Sequence, residues 1–300
     1  MKLVACVFAI LTMVPAAVAP VQAKGLKLRF EAAIYNDDQG GKLTLPEGVD
    51  CGDNYILVAD TGNHRLVRYA IENKAISFAS AIALPRAYPL LVHRNSAGDI
   101  FVLDGKERRI LRLGPAGEDK GALEPKNVPA PDTIVPKSFV IDQEDNIYVL
   151  DIFSFRVLKI GNDGAFKRQV FFPDLIGFIS DLALTPQGDI LLLDSVAGAV
   201  YKAAADATTF SVLTEGMKEY SNFPDHLTVD SQWTIYVVDQ YGSGIVILGS
   251  DGSFQGRQSG MGWQESLLRY PSQVCTNSRN DLFVADRNNN RVQIFSPLEN

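Results

Sequence analysis

The chain has 300 residues, of which 46% are hydrophobic and 21% charged, and its formal net charge is −7. These values suit a soluble globular protein with ample core. A mildly acidic chain without a Lys/Arg cluster excludes nucleic acid as the expected partner, because phosphate binding is driven by clustered cations.

The first element is a leader. Lys2 supplies a short positive region, and Leu3 to Val14 is an apolar run too short to anchor stably in a bilayer. Small residues follow and end in Val21-Gln22-Ala23, the pattern of a signal-peptidase site with cleavage after Ala23. Cys6 lacks the small-residue box that precedes a lipidated cysteine. Residues 1–23 are therefore expected to be a signal peptide. Residues 24–300 are expected to form one exported domain, periplasmic or secreted, with no transmembrane anchor once the leader is cleaved.

Leu26, Leu28 and Phe30 then alternate with Lys27, Arg29 and Glu31, which predicts a half-exposed strand. From Leu45 onward the chain repeats. The first copy has an inner strand entered by a proline, Pro46 to Asp50, and a turn over Cys51 to Asn54. An apolar strand from Tyr55 to Asp60 follows, then a turn over Thr61 to His64. A third strand opens at Arg65, and a fourth runs from Ile76 to Ile82. The apolar strand with its terminal aspartate returns five times. Asp60, Asp104, Asp151, Asp194, Asp239 and Asp286 follow one another at intervals of 44, 47, 43, 45 and 47 residues. A period in the forties with strand-like sequence throughout predicts a propeller of four-stranded blades. Glu118 to Pro131, charged and proline-bearing, is expected to be the longest irregular segment.

The sixth repeat ends after its third strand, Asn290 to Ser296. The strand around Leu26 to Phe30 can complete that blade and close the ring, which removes an open interface and its unpaired edges. The expected fold is all-β, a six-bladed β-propeller whose last blade is completed by the N-terminal strand.

Val58-Ala59-Asp60-Thr61-Gly62-Asn63-His64-Arg65-Leu66 resembles the NHL repeat, a strand ending in Asp, then Asn-His-Arg, then an alternating strand. Asp286 to Phe295 is a second good copy, with Asn290 in the histidine position, and the third repeat keeps Asp151 and Arg156. The resemblance implies the same propeller. The signature has a structural rationale. An aspartate at a strand end can cap the turn that follows by accepting its N–H groups. Gly62 and Asn63 suit the positive φ such turns need. Asp60, Asp104, Asp151, Asp194, Asp239 and Asp286 are thus expected to be turn caps.

Chemistry is expected at the mouth of the central channel, just after the inner-strand prolines. The candidates there are Glu47, Lys137, Ser138, Asp181, Asp225, His226, Ser272 and Gln273. Asp181, Asp225 and His226, from adjacent repeats, form the best acid/imidazole group and with Glu47 could hold a divalent cation, calcium or zinc. Two enzyme families of similar architecture supply comparisons. Resemblance to peptide α-amidating lyases would imply three zinc-binding histidines, and the chain offers His64, His93 and His226. Pro46-Glu47-Gly48 is similar to the metal-binding Glu-Gly of gluconolactonase-like propellers. No nucleophile elbow, Cys-x-x-Cys, His-Glu-x-x-His or phosphate loop is present. Cys51 and Cys275 end inner strands of the first and last repeats, which closure makes neighbours. Their offsets from the preceding prolines, five and four residues, leave open whether they pair or point apart.

The sequence reading favours an exported, non-enzymatic scaffold that binds a protein, peptide or glycan at one face and needs no cofactor. The alternative is a metal-dependent lyase or hydrolase at the channel mouth.

Overall fold

The computed structural model describes residues 26–298, so the leader expected over 1–23 lies outside it. Among the described residues the strands form six four-stranded antiparallel sheets arranged as a six-bladed propeller. In blade one the strands Pro46–Cys51, Tyr55–Asp60, Arg65–Glu72 and Ala75–Ala83 succeed each other from the channel outward. Blades two to five repeat that order.

The near-continuous apolar character of the second strands follows from their burial on both faces. Ile56 and Val58 pack toward blade six, in a cluster with Phe283, Ala285 and Ile294. Leu57 and Ala59 pack toward blade two, with Val92, Ile100 and Val102. Successive side chains of one strand thus feed two blade interfaces. Each fully buried aliphatic side chain contributes about 1.5–3 kcal/mol to holding neighbouring blades together.

Blade six is built from both ends of the chain. Leu28–Ile34 pairs antiparallel with Arg291–Pro297, with Leu28 opposite Pro297 and Ile34 opposite Val292. The closing strand runs four residues beyond the Leu26 to Phe30 stretch that the alternation marked, because Ala32 and Ile34 also find apolar partners. Inside the ring the Sγ atoms of Cys51 and Cys275 stand at bonding distance, 2.11 Å, across the blade six–blade one seam.

Two local expectations change. The segment Glu118 to Pro131 contains the outer strand of blade two, Asp119–Ala122. Its four mostly exposed residues carry no apolar alternation that could have marked it. In the turn after Asp60, neither Gly62 nor Asn63 takes the positive φ. Thr61–Asn63 makes one 3-10 turn, and His64 closes it at φ 51°. Gly62 is needed for space instead, since a Cβ there would stand 2.7 Å from the Thr44 carbonyl oxygen.

The loops that enter the inner strands and the loops that follow the repeat aspartates lie on one face, the top. The aspartates tie these two loop sets together. In every blade the carboxylate accepts an N–H from the loop entering the inner strand: Thr44 to Asp60, Tyr88 to Asp104, Val135 to Asp151, Phe178 to Asp194, Phe223 to Asp239 and Arg269 to Asp286, all at 2.7–3.0 Å. N–H groups of the following turn join at Asp104, Asp151, Asp194 and Asp239. In blades one and six the side chains of Asn63 and Asn289 take that place. Arg65, Arg156 and Arg291 close the arrangement from the third strand, and in blade five Arg257 does so from the outer strand.

Candidate functional site

The inner strands position the candidate residues through a bulge. In blade one the register passes from Pro46 opposite Asp60 to Gly48 opposite Ala59, leaving Glu47 as the extra residue. The same step leaves Leu90, Lys137, Ser180 and Asp225 as extra residues in blades two to five. In blade six Ser272 and Gln273 share the backbone of Ala285. A bulge re-aims its residue and leaves it unpaired in the ladder. The candidates therefore separate into two rings. Glu47, Leu90, Lys137, Ser180, Asp225 and Ser272 occupy the bulge. Gly48, Leu91, Ser138, Asp181, His226 and Gln273 come next along the strand.

The second ring is a belt between blades. Ser138 donates its hydroxyl to Asp181 Oδ1 at 2.5 Å, and His226 Nδ1 lies 2.6 Å from Asp181 Oδ2, which also accepts the Leu227 N–H. His226 Nε2 donates to the Val274 carbonyl at 3.0 Å, and Gln273 Oε1 accepts the Val49 N–H at 2.8 Å. Asp181, His226 and Gln273 thus each reach the residue one step further along the next blade's inner strand. Burial opposes charge on both Asp181 and His226. Their mutual attraction outweighs it, holding the carboxyl below and the imidazole above their ordinary values. With a carboxylate on one nitrogen and a carbonyl on the other, His226 has no lone pair to offer a metal.

Asp181, Asp225 and His226 are therefore not brought together as one group. Asp225 occupies the bulge ring with Glu47 and Lys137, on alternate blades around the mouth. Glu47 is held by Arg287 at 2.5 Å, a partner outside the sequence candidates that directly follows the blade-six aspartate. The side chains of Asp225 and Lys137 have no hydrogen-bonding or ion-pair partner among the described residues, although each lies within the other's field. Burial pushes the Asp225 carboxyl up from its ordinary range, with Lys137 opposing and Asp181 adding to the shift. Burial also raises Glu47, against Arg287.

Above the mouth, a third set of equivalent positions is unequally filled. The residues two beyond the repeat aspartates are Gly62, Lys106, Phe153, Val196, Tyr241 and Asn288. The apolar ones fall on blades three, four and five and are 53%, 52% and 55% exposed. They form an apolar arc over half of the top face. Phe178, at the entry to blade four's inner strand, lies below it with its ring 6.0 Å from Lys137 Nζ, and Tyr241 stacks on Phe223 at 5.0 Å. Leu175, Met261 and Trp263 add exposed apolar surface to the same face. Aligning the six repeats on their aspartates would have exposed this pattern in the sequence.

The other histidines lie elsewhere. His64 bonds the Ala87 carbonyl in a top-face turn, and His93 stands 3.4 Å from Asp50. Among the described residues no three His, Cys, Asp or Glu side chains converge in a metal-ligand arrangement. A surface cavity of about 850 Å³ lies away from the mouth, near Arg29, Lys74, Asp230 and Arg279.

The comparisons agree with the architecture. The NHL repeat family matches residues 268–295, and no curated protein matches the sequence. The fold is similar to that of virginiamycin B lyase from Staphylococcus aureus, with 14% identity, TM-score 0.60, and 91% of this chain and 100% of that one covered. It is also similar to a gluconolactonase from Xanthomonas campestris, with 14% identity, TM-score 0.66, and 93% of each chain covered. A chain of a nidogen/laminin complex matches with 16% identity, TM-score 0.58, over 72% of this chain and 80% of that one. At these identities the likeness is one of fold, and the same fold serves a lyase, a gluconolactonase and a chain of a nidogen/laminin complex. The chain is a six-bladed β-propeller that carries an NHL repeat.

Proposed function

We propose that the protein is a non-enzymatic binding propeller that recognises a protein, peptide or glycan partner on its top face, outside the cytoplasm. The observation that carries this reading is the arc of Phe153, Val196 and Tyr241, three equivalent positions on consecutive blades that are apolar and more than half exposed. Large apolar side chains left exposed together on one face are what interaction sites present. The export part rests on the leader-like N-terminus and on the facing thiols of Cys51 and Cys275, a pairing that suits an oxidising compartment. The test is a displayed-peptide selection and a glycan array against the whole protein and a Phe153→Ser, Val196→Ser, Tyr241→Ser variant of unchanged melting temperature. Ligands that bind the protein and lose the variant support the reading. Ligands that bind both equally sink it.

A metal-dependent lyase or hydrolase at the channel mouth is the competing reading. Its support is the pair of carboxyl groups, Glu47 and Asp225, that burial pushes upward at the mouth. Stoichiometric calcium or zinc in the purified protein, lost in Asp225→Ala with the fold kept, would favour it.

A further inference from the structure

The charges beneath the arc have a direction. Lys137 lies in the bulge of blade three and Asp225 in that of blade five, below the two ends of the arc, and Ser180 of blade four lies between them. At the mouth Glu47 and Arg287 are consumed by each other. Lys137 and Asp225 attract each other only through space, and neither has a hydrogen-bonding or ion-pair partner among the described residues. Half-buried charges without partners are costly, and they persist where a ligand supplies the opposite charge.

Resting on the binding role above, we infer that the ligand is a short apolar peptide with both termini free, its carboxylate on Lys137, its ammonium on Asp225 and its side chains against Phe153, Val196 and Tyr241. The complementarity fixes orientation as well as class: the peptide runs with its C-terminus at blade three and its N-terminus at blade five. A neutral glycan would leave both charges unmatched, and a purely cationic or anionic ligand would leave one. Phe178, beside Lys137, gives the C-terminal residue an apolar wall.

Leu-Ala peptides of two to six residues, with free, N-acetylated or C-amidated ends, test this by titration calorimetry on the whole protein. At the length that spans the two charges, the free peptide should bind about tenfold tighter than either capped form, the effect of one charge-assisted hydrogen bond. Asp225→Asn should abolish the penalty of acetylation and keep that of amidation. Lys137→Met should do the reverse. Equal binding of free and capped peptides at every length, with Phe153→Ser weakening all of them, overturns the end-charge assignment and leaves the apolar arc standing. No binding by any peptide, or binding indifferent to Phe153→Ser, overturns the peptide assignment. The array and selection above then decide whether the arc binds anything else. Melting temperatures within error of the parent keep misfolding out of the comparison.

Discussion

Asp181 Oδ2 and His226 Nδ1 stand 2.6 Å apart, buried between blades four and five, while the second ring nitrogen of His226 is spent on the Val274 carbonyl. Both acceptors need an N–H, so the imidazole carries its proton on each nitrogen. The pair therefore links the inner strands of blades four, five and six in one charged chain.

Its contribution should depend on pH from both sides. The His226 value is raised, so its stabilisation is complete below about 6.5, the ordinary histidine value, and is lost as pH climbs through the higher folded value. The Asp181 value is lowered, so its stabilisation is complete above about 3.9 and is lost as pH falls through the lower folded value. Urea denaturation should show the protein losing stability above neutrality. His226→Leu should remove that alkaline slope. Asp181→Asn, which strands a buried imidazolium, should cost about 3–5 kcal/mol near pH 6. An alkaline slope unchanged in His226→Leu would show that another group titrates.

The repeat aspartates differ in how fully they are used. Asp286 Oδ2 accepts from Arg291, Asn289 and Gln293, and Arg291 is only 2% exposed. Asp104 Oδ2 is buried and has no hydrogen-bond partner among the described residues. Asp286→Asn turns a triple acceptor into a donor and leaves a buried guanidinium uncompensated, for a loss of about 3–5 kcal/mol. Asp104→Asn changes an atom that bonds nothing, and its cost should stay near 1 kcal/mol or below. Comparable losses in the two variants would contradict the bonding pattern.

The thiols follow the same stagger as the polar belt. Cys275 lies opposite Phe283, one place short of the position that Cys51 holds opposite Ile56. Gln273 likewise reaches Val49 one place further on. Intact-mass measurement with and without reductant should find the two thiols oxidised in protein from an oxidising compartment. A loop of 224 residues puts the bond's worth at up to about 5 kcal/mol in the chain-entropy treatment. Cys51→Ser should therefore lower the denaturation midpoint markedly under oxidising conditions and little under reducing ones. Two free thiols in the exported protein would end the idea.

That stagger also marks what the sequence could and could not say. Blade number, strand order and closure were legible because each second strand is buried on both faces, and burial writes itself as an apolar run ending in the same aspartate. The bulge was not legible, since it inserts one residue without altering composition. Counting from the prolines therefore put Asp181, Asp225 and His226 in one group, when Asp225 faces the mouth and the other two face a blade interface. The five-against-four offset of the cysteines left their pairing open, because the one-residue stagger between neighbouring inner strands is equally invisible in the sequence. The outer strand Asp119–Ala122 stayed hidden because its exposed residues carry no apolar period, unlike the alternating outer strand of blade one.

Gly48 gives the last test of this geometry. It holds in blade one the place that Asp181 and His226 hold in blades four and five. A Cβ there would stand 2.6 Å from the Leu90 carbonyl oxygen and 3.0 Å from Gln273 Oε1. The Leu90 carbonyl belongs to a bulge and cannot retreat without disturbing blade two, and Gln273 Oε1 is committed to Val49. The glycine after Glu47 is thus accounted for by close packing at the ring seam, with no metal required. Gly48→Ala should cost about 1–3 kcal/mol in urea denaturation through overpacking. Gly260→Ala, at a site where a Cβ meets nothing within 4 Å, should stay within about 0.5 kcal/mol of the parent. A neutral Gly48→Ala would mean that blades one and two sit further apart than the inner belt requires.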